Sequence, residues 1–334
     1  MSELDPEIRQ FVEMMREDWK AYPNFDHAPF PERRKMAERV RRRWSRGGPE
    51  MASTSEHTFQ SNNGSLGIRV YKPKTVSALM PGLIYIHGGG FTLFSNDTHD
   101  RLMREYAEDG GFAVLGIDYP LAPETKYPVA LNLITDFMHW LFMHAAEWGL
   151  DPQSLAIGGD SAGGNLAFAT FMKLRDAGIG TMVNAILANY GGFSPLISDE
   201  SEARFGGPGS IMDREEAEEY WANYLRSTTD ARDPYASPLL ADLRGFPPVL
   251  LVVPELDIVT EHSLTMNERL IAAGVDVDCK VYTGAIHSFL EAMSISTIAR
   301  QGITDGAQFI KRHIAAGPRV CEQLRRIGPK NNRR

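Results

Sequence analysis

The sequence predicts an α/β fold, a doubly wound and mostly parallel sheet with a helical cap. Three observations carry that expectation. From about residue 66, short apolar or β-branched runs alternate with longer helical patterns, as strands joined by crossover helices do. The first fifty residues and a polar insertion in the second half depart from the alternation, and a lid over the sheet's carboxyl edge would use such segments, because open α/β sheets bind ligands there. The 334 residues, 43% hydrophobic and 23% charged, have the profile of an ordinary globular chain, long enough to bury a sizeable core as two domains or as one large domain with a lid.

Taken in order, Ile8, Phe11, Val12, Met15 and Trp19 recur at helical spacing. A Pro- and aromatic-rich connection from Tyr22-Pro23 to Phe30-Pro31 leads into a basic helix, Glu32 to Arg46. Its Arg33, Arg34, Lys35, Arg39, Arg41, Arg42, Arg43 and Arg46 could bind anions, but on an acidic protein they read better as a solvated face. Strands are expected at Ile68–Tyr71, Gly82–Ile86, Phe112–Ile117, Ser154–Ile157, Val183–Ala188, Val249–Val253 and Val277–Tyr282, most bounded by Gly, Pro or Asp. Helices are expected at Asp97–Glu108, Val129–Trp148, Ser161–Asp176 and Glu261–Ala273, with a last one after His287. Between Phe193 and about Pro234 the alternation is interrupted by a polar loop and a helix at Asp213–Leu225.

Several classes are disfavoured. A net charge of −8 argues against nucleic acid as the main partner. Two cysteines, Cys279 and Cys321, make no disulfide framework and have no metal-ligand spacing around them. The acidic start, Met1-Ser2-Glu3-Leu4-Asp5, lacks the basic and apolar regions of a secretory signal. The long uncharged stretches Thr75–Asn96 and Ala177–Ser198 are interrupted by Pro81, Gly88-Gly89-Gly90, Gly191-Gly192 and Pro195, so they do not read as membrane spans. A cytoplasmic setting is the default expectation.

The chemistry is concentrated in a few motifs. The expected strand Ser154–Ile157 runs through Gly158-Gly159-Asp160-Ser161-Ala162-Gly163-Gly164 into a helix, which places G-x-S-x-G on a strand-to-helix turn. In that turn a serine is strained so that its hydroxyl projects above the sheet, and small neighbours avoid collisions with adjacent backbone. Helix N–H groups and the positive dipole end then face the reacting centre. Glycine is common enough that the pattern alone would arise in roughly one chain in ten; the strand before and helix after give it weight. The glycines fit neither G-x-G-x-x-G nor a phosphate loop with G-K-[ST].

Upstream, Gly82–Ile86 ends in His87-Gly88-Gly89-Gly90-Phe91, whose unshielded N–H groups can converge on a developing oxyanion. The expected donors are Gly89, Gly90 and Ala162, the residue after the serine. His87 is expected to order this loop. In a Ser, then acid, then His order, six of the nine histidines precede Ser161, and His313 lies deep in the final helix. His262 and His287 remain, and His287 is favoured because it sits in a loop after the last strand. Glu255, Asp257 and Glu261 all follow Val249–Val253. Asp257 is at the loop's centre, Glu261 starts a helix where its charge suits the dipole, and Asp160 is too close to the serine to reach the far side of the imidazole.

With these residues in place, the chain resembles the hormone-sensitive-lipase-like branch of the α/β-hydrolase carboxylesterases, through HGGGF at 87–91, DYPLAPE at 118–124, GGDSAGGNLA at 158–167, SPLLADLRGFPPVLLVV at 237–253, ELDIVTE at 255–261 and GAIHSF at 284–289. The resemblance implies a serine carboxylesterase acting on short- to medium-chain esters through an acyl-serine, with Ser161, Asp257 and His287 as triad and no cofactor or metal. It also implies cap helices over residues 1–50 and a catalytic domain over 51–334 with a second cap segment near 190–230. A small ester is the expected partner; homodimerisation is left open. Three positions depart from the branch: Pro120 replaces a usual Arg and puts the local turn in doubt, Thr260 replaces a usual Asp, and Ser288 a usual Gly. A lactone or amide hydrolase would use the same triad, and receptors resembling this branch have lost the histidine that His287 retains here.

Overall fold

The structure is a computed structural model that describes residues 3–75, 79–207 and 211–314. Eight strands form its sheet: β1 (Ser53–Ser61), β2 (Gly64–Lys72), β3 (Met80–Ile86), β4 (Ala113–Asp118), β5 (Leu150–Asp160), β6 (Ile186–Asn189), β7 (Val249–Pro254) and β8 (Val277–Tyr282). Their order is β1-β2-β4-β3-β5-β6-β7-β8. β1 pairs antiparallel with β2 and β2 with β4, and every later pairing is parallel. The helices are α1 (Pro6–Trp19), α2 (Phe30–Ser45), α3 (Asp100–Gly110), α4 (Val129–His144), α5 (Ala162–Asp176), α6 (Asp199–Phe205), α7 (Arg214–Tyr224), α8 (Thr260–Ala272) and α9 (Thr297–Ile314).

Successive side chains of a strand point to opposite faces, and the apolar strands use both. On β3, Ile84 and Ile86 join the cluster formed with α4, α5 and α8, while Leu83 and Tyr85 join the cluster formed with α1, α2, α3 and α9. A sheet covered on both faces needs near-continuous apolar runs, which is why β3 to β7 were readable. β1 was not expected: its sequence is polar and largely exposed, because it lies at the sheet edge. The register pairs Ser61 with Gly64, leaving Asn62-Asn63 as a two-residue hairpin loop, and Asn-rich loops before Gly are the local signal for it.

The basic helix corrects one expectation. Lys35, Arg39, Arg42, Arg43 and Arg46 are exposed, but Arg33 and Arg41 are buried, so α2 is not simply a solvated face. Arg41 pairs with the equally buried Glu291, and Arg33 grips Glu219 of α7 at 2.5 Å. Arg34 answers the doubt raised by Pro120: it donates to the carbonyls of Thr92 and Ala122, each at 2.8 Å, and to both carboxylate oxygens of Glu124. A guanidinium from α2 therefore braces the turn. α6, also unexpected, precedes α7 in the insertion. No helix among the described residues is long and apolar enough to cross a membrane. Cys321 lies outside the described residues.

Candidate active site

The carboxyl ends of β3, β5, β7 and β8 converge on one cleft. Ser161 follows β5 and precedes α5 with φ 52 and ψ −117, a conformation that costs an ordinary residue about 1–3 kcal/mol and that surrounding structure must enforce. Its N–H donates to Asn189 O at 2.9 Å, and its carbonyl accepts from Asn165 N–H at 3.2 Å and Gly192 N–H at 3.3 Å. The turn also presses against β3: a Cβ at Gly163 would lie 1.9 Å from Ile86 O, and one at Gly159 2.3 Å from it. Only glycine lets the backbones approach so closely.

His287, in the loop after β8, reaches Ser161 Oγ through Nε2 at 2.9 Å. Its Nδ1–H donates to Asp257 Oδ2 at 2.7 Å, which leaves Nε2 to accept the serine proton. Asp257 is held in turn by Val259 N–H on Oδ1 at 3.1 Å. Burial acts to lower the His287 pKa, but the charge and hydrogen bond of Asp257 outweigh it, and the imidazole is held above its ordinary range. Ser288 adopts φ 61, the left-handed region where the glycine usual in the resembling branch would sit unstrained.

The other acids are engaged elsewhere. Glu255 accepts Gly284 N–H at 3.0 Å. Glu261 accepts the N–H and hydroxyl of Ser198, at 2.9 and 2.6 Å, tying α8 to the start of α6. His262 is buried and donates to Leu196 O at 2.8 Å. Thr260 donates to Pro254 O at 2.7 Å, so its hydroxyl closes the loop in place of a carboxylate.

Gly89, Gly90 and Ser161 line the cleft, and Gly90, Ser161 and Ala162 line a small pocket beside it. Among the described residues, the N–H groups of Gly89, Gly90 and Ala162 donate to no acceptor. Beneath this loop is a buried network that sequence reasoning missed. Asp160 accepts from Gly88 N–H at 3.1 Å, Tyr85 hydroxyl at 3.0 Å and His99 Nε2 at 3.2 Å. Burial opposes its charge, yet His99 holds its pKa low. His87 donates from Nδ1 to Gly88 O at 2.7 Å and stacks on Tyr119; burial, with the neighbouring His99, pushes its pKa down to about 4, so it orders the loop as a neutral ring.

The cleft encloses about 270 Å³. Its walls include Val12, Met15, Trp19 and Phe25 from the N-terminal segment, Leu93 and Phe94 from the loop after β3, and Met212, Glu216 and Tyr220 from the insertion. The small pocket, about 30 Å³, is lined by Phe91, Gly192, Ala217 and Trp221 among others. An imidazole fixed by a carboxylate and bonded to a serine hydroxyl can remove that proton as the oxygen attacks a carbonyl, and free N–H groups alongside can hold the resulting charge.

Comparison with known proteins agrees with this architecture. Residues 83–291 match the profile of an alpha/beta hydrolase fold family. Acetyl esterases of Salmonella schwarzengrund and Salmonella typhi are each 35% identical over 272 residues, 80% of this chain and 83% of theirs. A hyperthermophilic esterase from Pyrobaculum calidifontis superposes with a TM-score of 0.86 at 29% identity, covering 93% of this chain and 98% of that one. A thermostable esterase from Pseudomonas putida gives a TM-score of 0.87 at 26% identity with the same coverage. The chain belongs to the α/β-hydrolase fold family, within its hormone-sensitive-lipase-like carboxylesterases, and is a carboxylic ester hydrolase.

Proposed function

We propose that the chain hydrolyses esters of short carboxylic acids, acetyl esters foremost, with Ser161 as nucleophile, His287 as general base and then acid, and Asp257 as the orienting acid. The observation that carries this reading is His287 bonded on one side to Ser161 and on the other to Asp257. Ser161 Oγ attacks the ester carbon while its proton passes to His287 Nε2. The tetrahedral oxyanion receives the N–H groups of Gly89, Gly90 and Ala162, each such donor being worth about 100- to 1000-fold in rate. Collapse expels the alcohol, which takes the proton from His287, and leaves an acyl-serine. Water, deprotonated by the same imidazole, then releases the acid.

Short acyl chains are supported by the pocket beside Ala162, whose 30 Å³ is small against the 270 Å³ of the neighbouring cleft. The acetyl esterase relatives point the same way. The proposed cap joins residues 1–50 to the insertion near 190–230, and the Arg33–Glu219 pair between them supports that division. A panel of p-nitrophenyl esters tests the reading. Acetate or propionate should give the highest kcat/KM, and Ser161→Ala should lose about 10⁴-fold or more. A fluorophosphonate should label Ser161 in the wild type; retained turnover in Ser161→Ala would overturn the assignment.

A further inference from the structure

The cleft and the small pocket meet around Gly90, Ser161, Met212 and Tyr220, which line both. Tyr220 is the rigid member of that group. Its ring lies over the glycine loop: a Cβ placed on Gly90 would come 2.2 Å from the ring's Cγ and 2.4 Å from each Cδ. Its hydroxyl donates to Glu216 Oε1 at 2.5 Å, one helical turn earlier on α7. The ring's face and its far end are therefore both fixed. Met212, unbranched and with several rotatable bonds, can yield to a ligand; a tyrosine held at both ends cannot without breaking a contact.

The two spaces have different relations to the base. His287 lines the cleft and not the small pocket. Because the proton it takes from Ser161 must return to the departing alcohol, the alcohol belongs in the cleft and the acyl group in the small pocket. We infer that Tyr220 is the partition between alcohol and acyl subsites, and that its ring, held by Glu216, sets the acyl length this esterase accepts. The inference rests on the acyl-serine reading of Ser161 and adds the side chain that decides substrate size.

The test compares kcat/KM for p-nitrophenyl acetate, butyrate, hexanoate and octanoate in wild type, Tyr220→Ala, Tyr220→Phe and Gly192→Ala. Wild type should fall at least about tenfold from acetate to hexanoate, as crowding by extra methylenes demands. Tyr220→Ala should reduce that ratio about tenfold by opening the pocket into the cleft. Tyr220→Phe keeps the ring and should keep the wild-type order of chain lengths. Gly192 lines the acyl side, and a Cβ there meets nothing within 4 Å, so Gly192→Ala should fold and penalise butyrate relative to acetate. If Tyr220→Ala fails to fold, by circular dichroism and melting, Gly192→Ala decides alone. An unchanged chain-length profile in a folded Tyr220→Ala, or an unchanged butyrate-to-acetate ratio in Gly192→Ala, overturns the partition. Failure of the underlying reading is distinct: Ser161→Ala would then retain turnover whatever stands at 220.

Discussion

In the proposed mechanism His287 must be neutral to receive the Ser161 proton, although Asp257 stabilises its charged form. The sign of the pH dependence follows. A base whose pKa lies above the ordinary 6.5 is protonated and idle at low pH, so kcat/KM should rise with pH, with its acid-limb midpoint above 6.5. Asp257→Asn removes the charge that raises the pKa, so the midpoint should move down while kcat drops about 10⁴-fold from loss of the correct tautomer. A stopped-flow pH profile of both proteins checks this, and a midpoint unmoved by the substitution would exclude Asp257 as the source of the shift. At this scale the sequence was informative where a motif was local. Ser161, the glycine loop and His287 each sit in a short run whose glycines and neighbouring strand mark it. Between Asp257 and its rival carboxylates the sequence offered only loop position, and the structure separates them by giving Glu255 and Glu261 other partners. Tyr220 and Arg41 were invisible as site residues because their contacts with Gly90 and Glu291 cross long sequence separations that no periodicity records.

Among the elements, α2 shows how a charge run can mislead. Seven basic residues on one helix, with Arg46 just past its end, suggest solvation, yet Arg33 and Arg41 turn inward. Arg41 stands 4.7 Å over the Phe94 ring and pairs with Glu291 in the turn that follows His287. Burial pushes the Glu291 carboxyl up, and the Arg41 charge partly offsets this. Removing one member of a buried pair leaves the other uncompensated, at about 3–5 kcal/mol, whereas replacing both by apolar groups is often near neutral. Arg41→Met should therefore lower stability by about 3–5 kcal/mol in urea titrations, and Arg41→Met with Glu291→Leu should recover most of it. A single variant as stable as wild type would mean that the pair is solvated. β1 failed in the opposite sense: a strand exposed along most of its length has no apolar alternation to reveal it, and Phe59, which packs against Phe137 and Trp140, is a single apolar mark in nine residues.

Across the whole molecule, the proposed N-terminal cap shares its packing with the sheet. Ile8, Phe11, Val12, Met15, Val40 and Trp44 are all buried, and they belong to the same apolar cluster as Tyr85, Leu187 and Val252 of the central strands. Asp5 N–H donates to Gly284 O at 3.1 Å, three residues before His287, and Glu7 accepts Thr297 N–H at 2.6 Å at the start of α9. The amphipathic spacing of α1 was legible in sequence; its partner surface was not, because a periodic apolar face does not say which sheet face or helix will cover it. Burying each of those six side chains contributes about 1.5–3 kcal/mol, so their sum is comparable with the whole net stability of a typical domain, about 5–15 kcal/mol. A lid that merely gated the cleft could be removed and leave a folded, indiscriminate esterase. A segment that completes the core could not. Deleting residues 1–50 should therefore abolish cooperative melting and expose apolar surface that binds anilinonaphthalene sulfonate, with hydrolysis of p-nitrophenyl acetate lost alongside. A truncated protein that melts cooperatively and still turns over acetate would show instead that residues 51–334 form a self-sufficient catalytic unit.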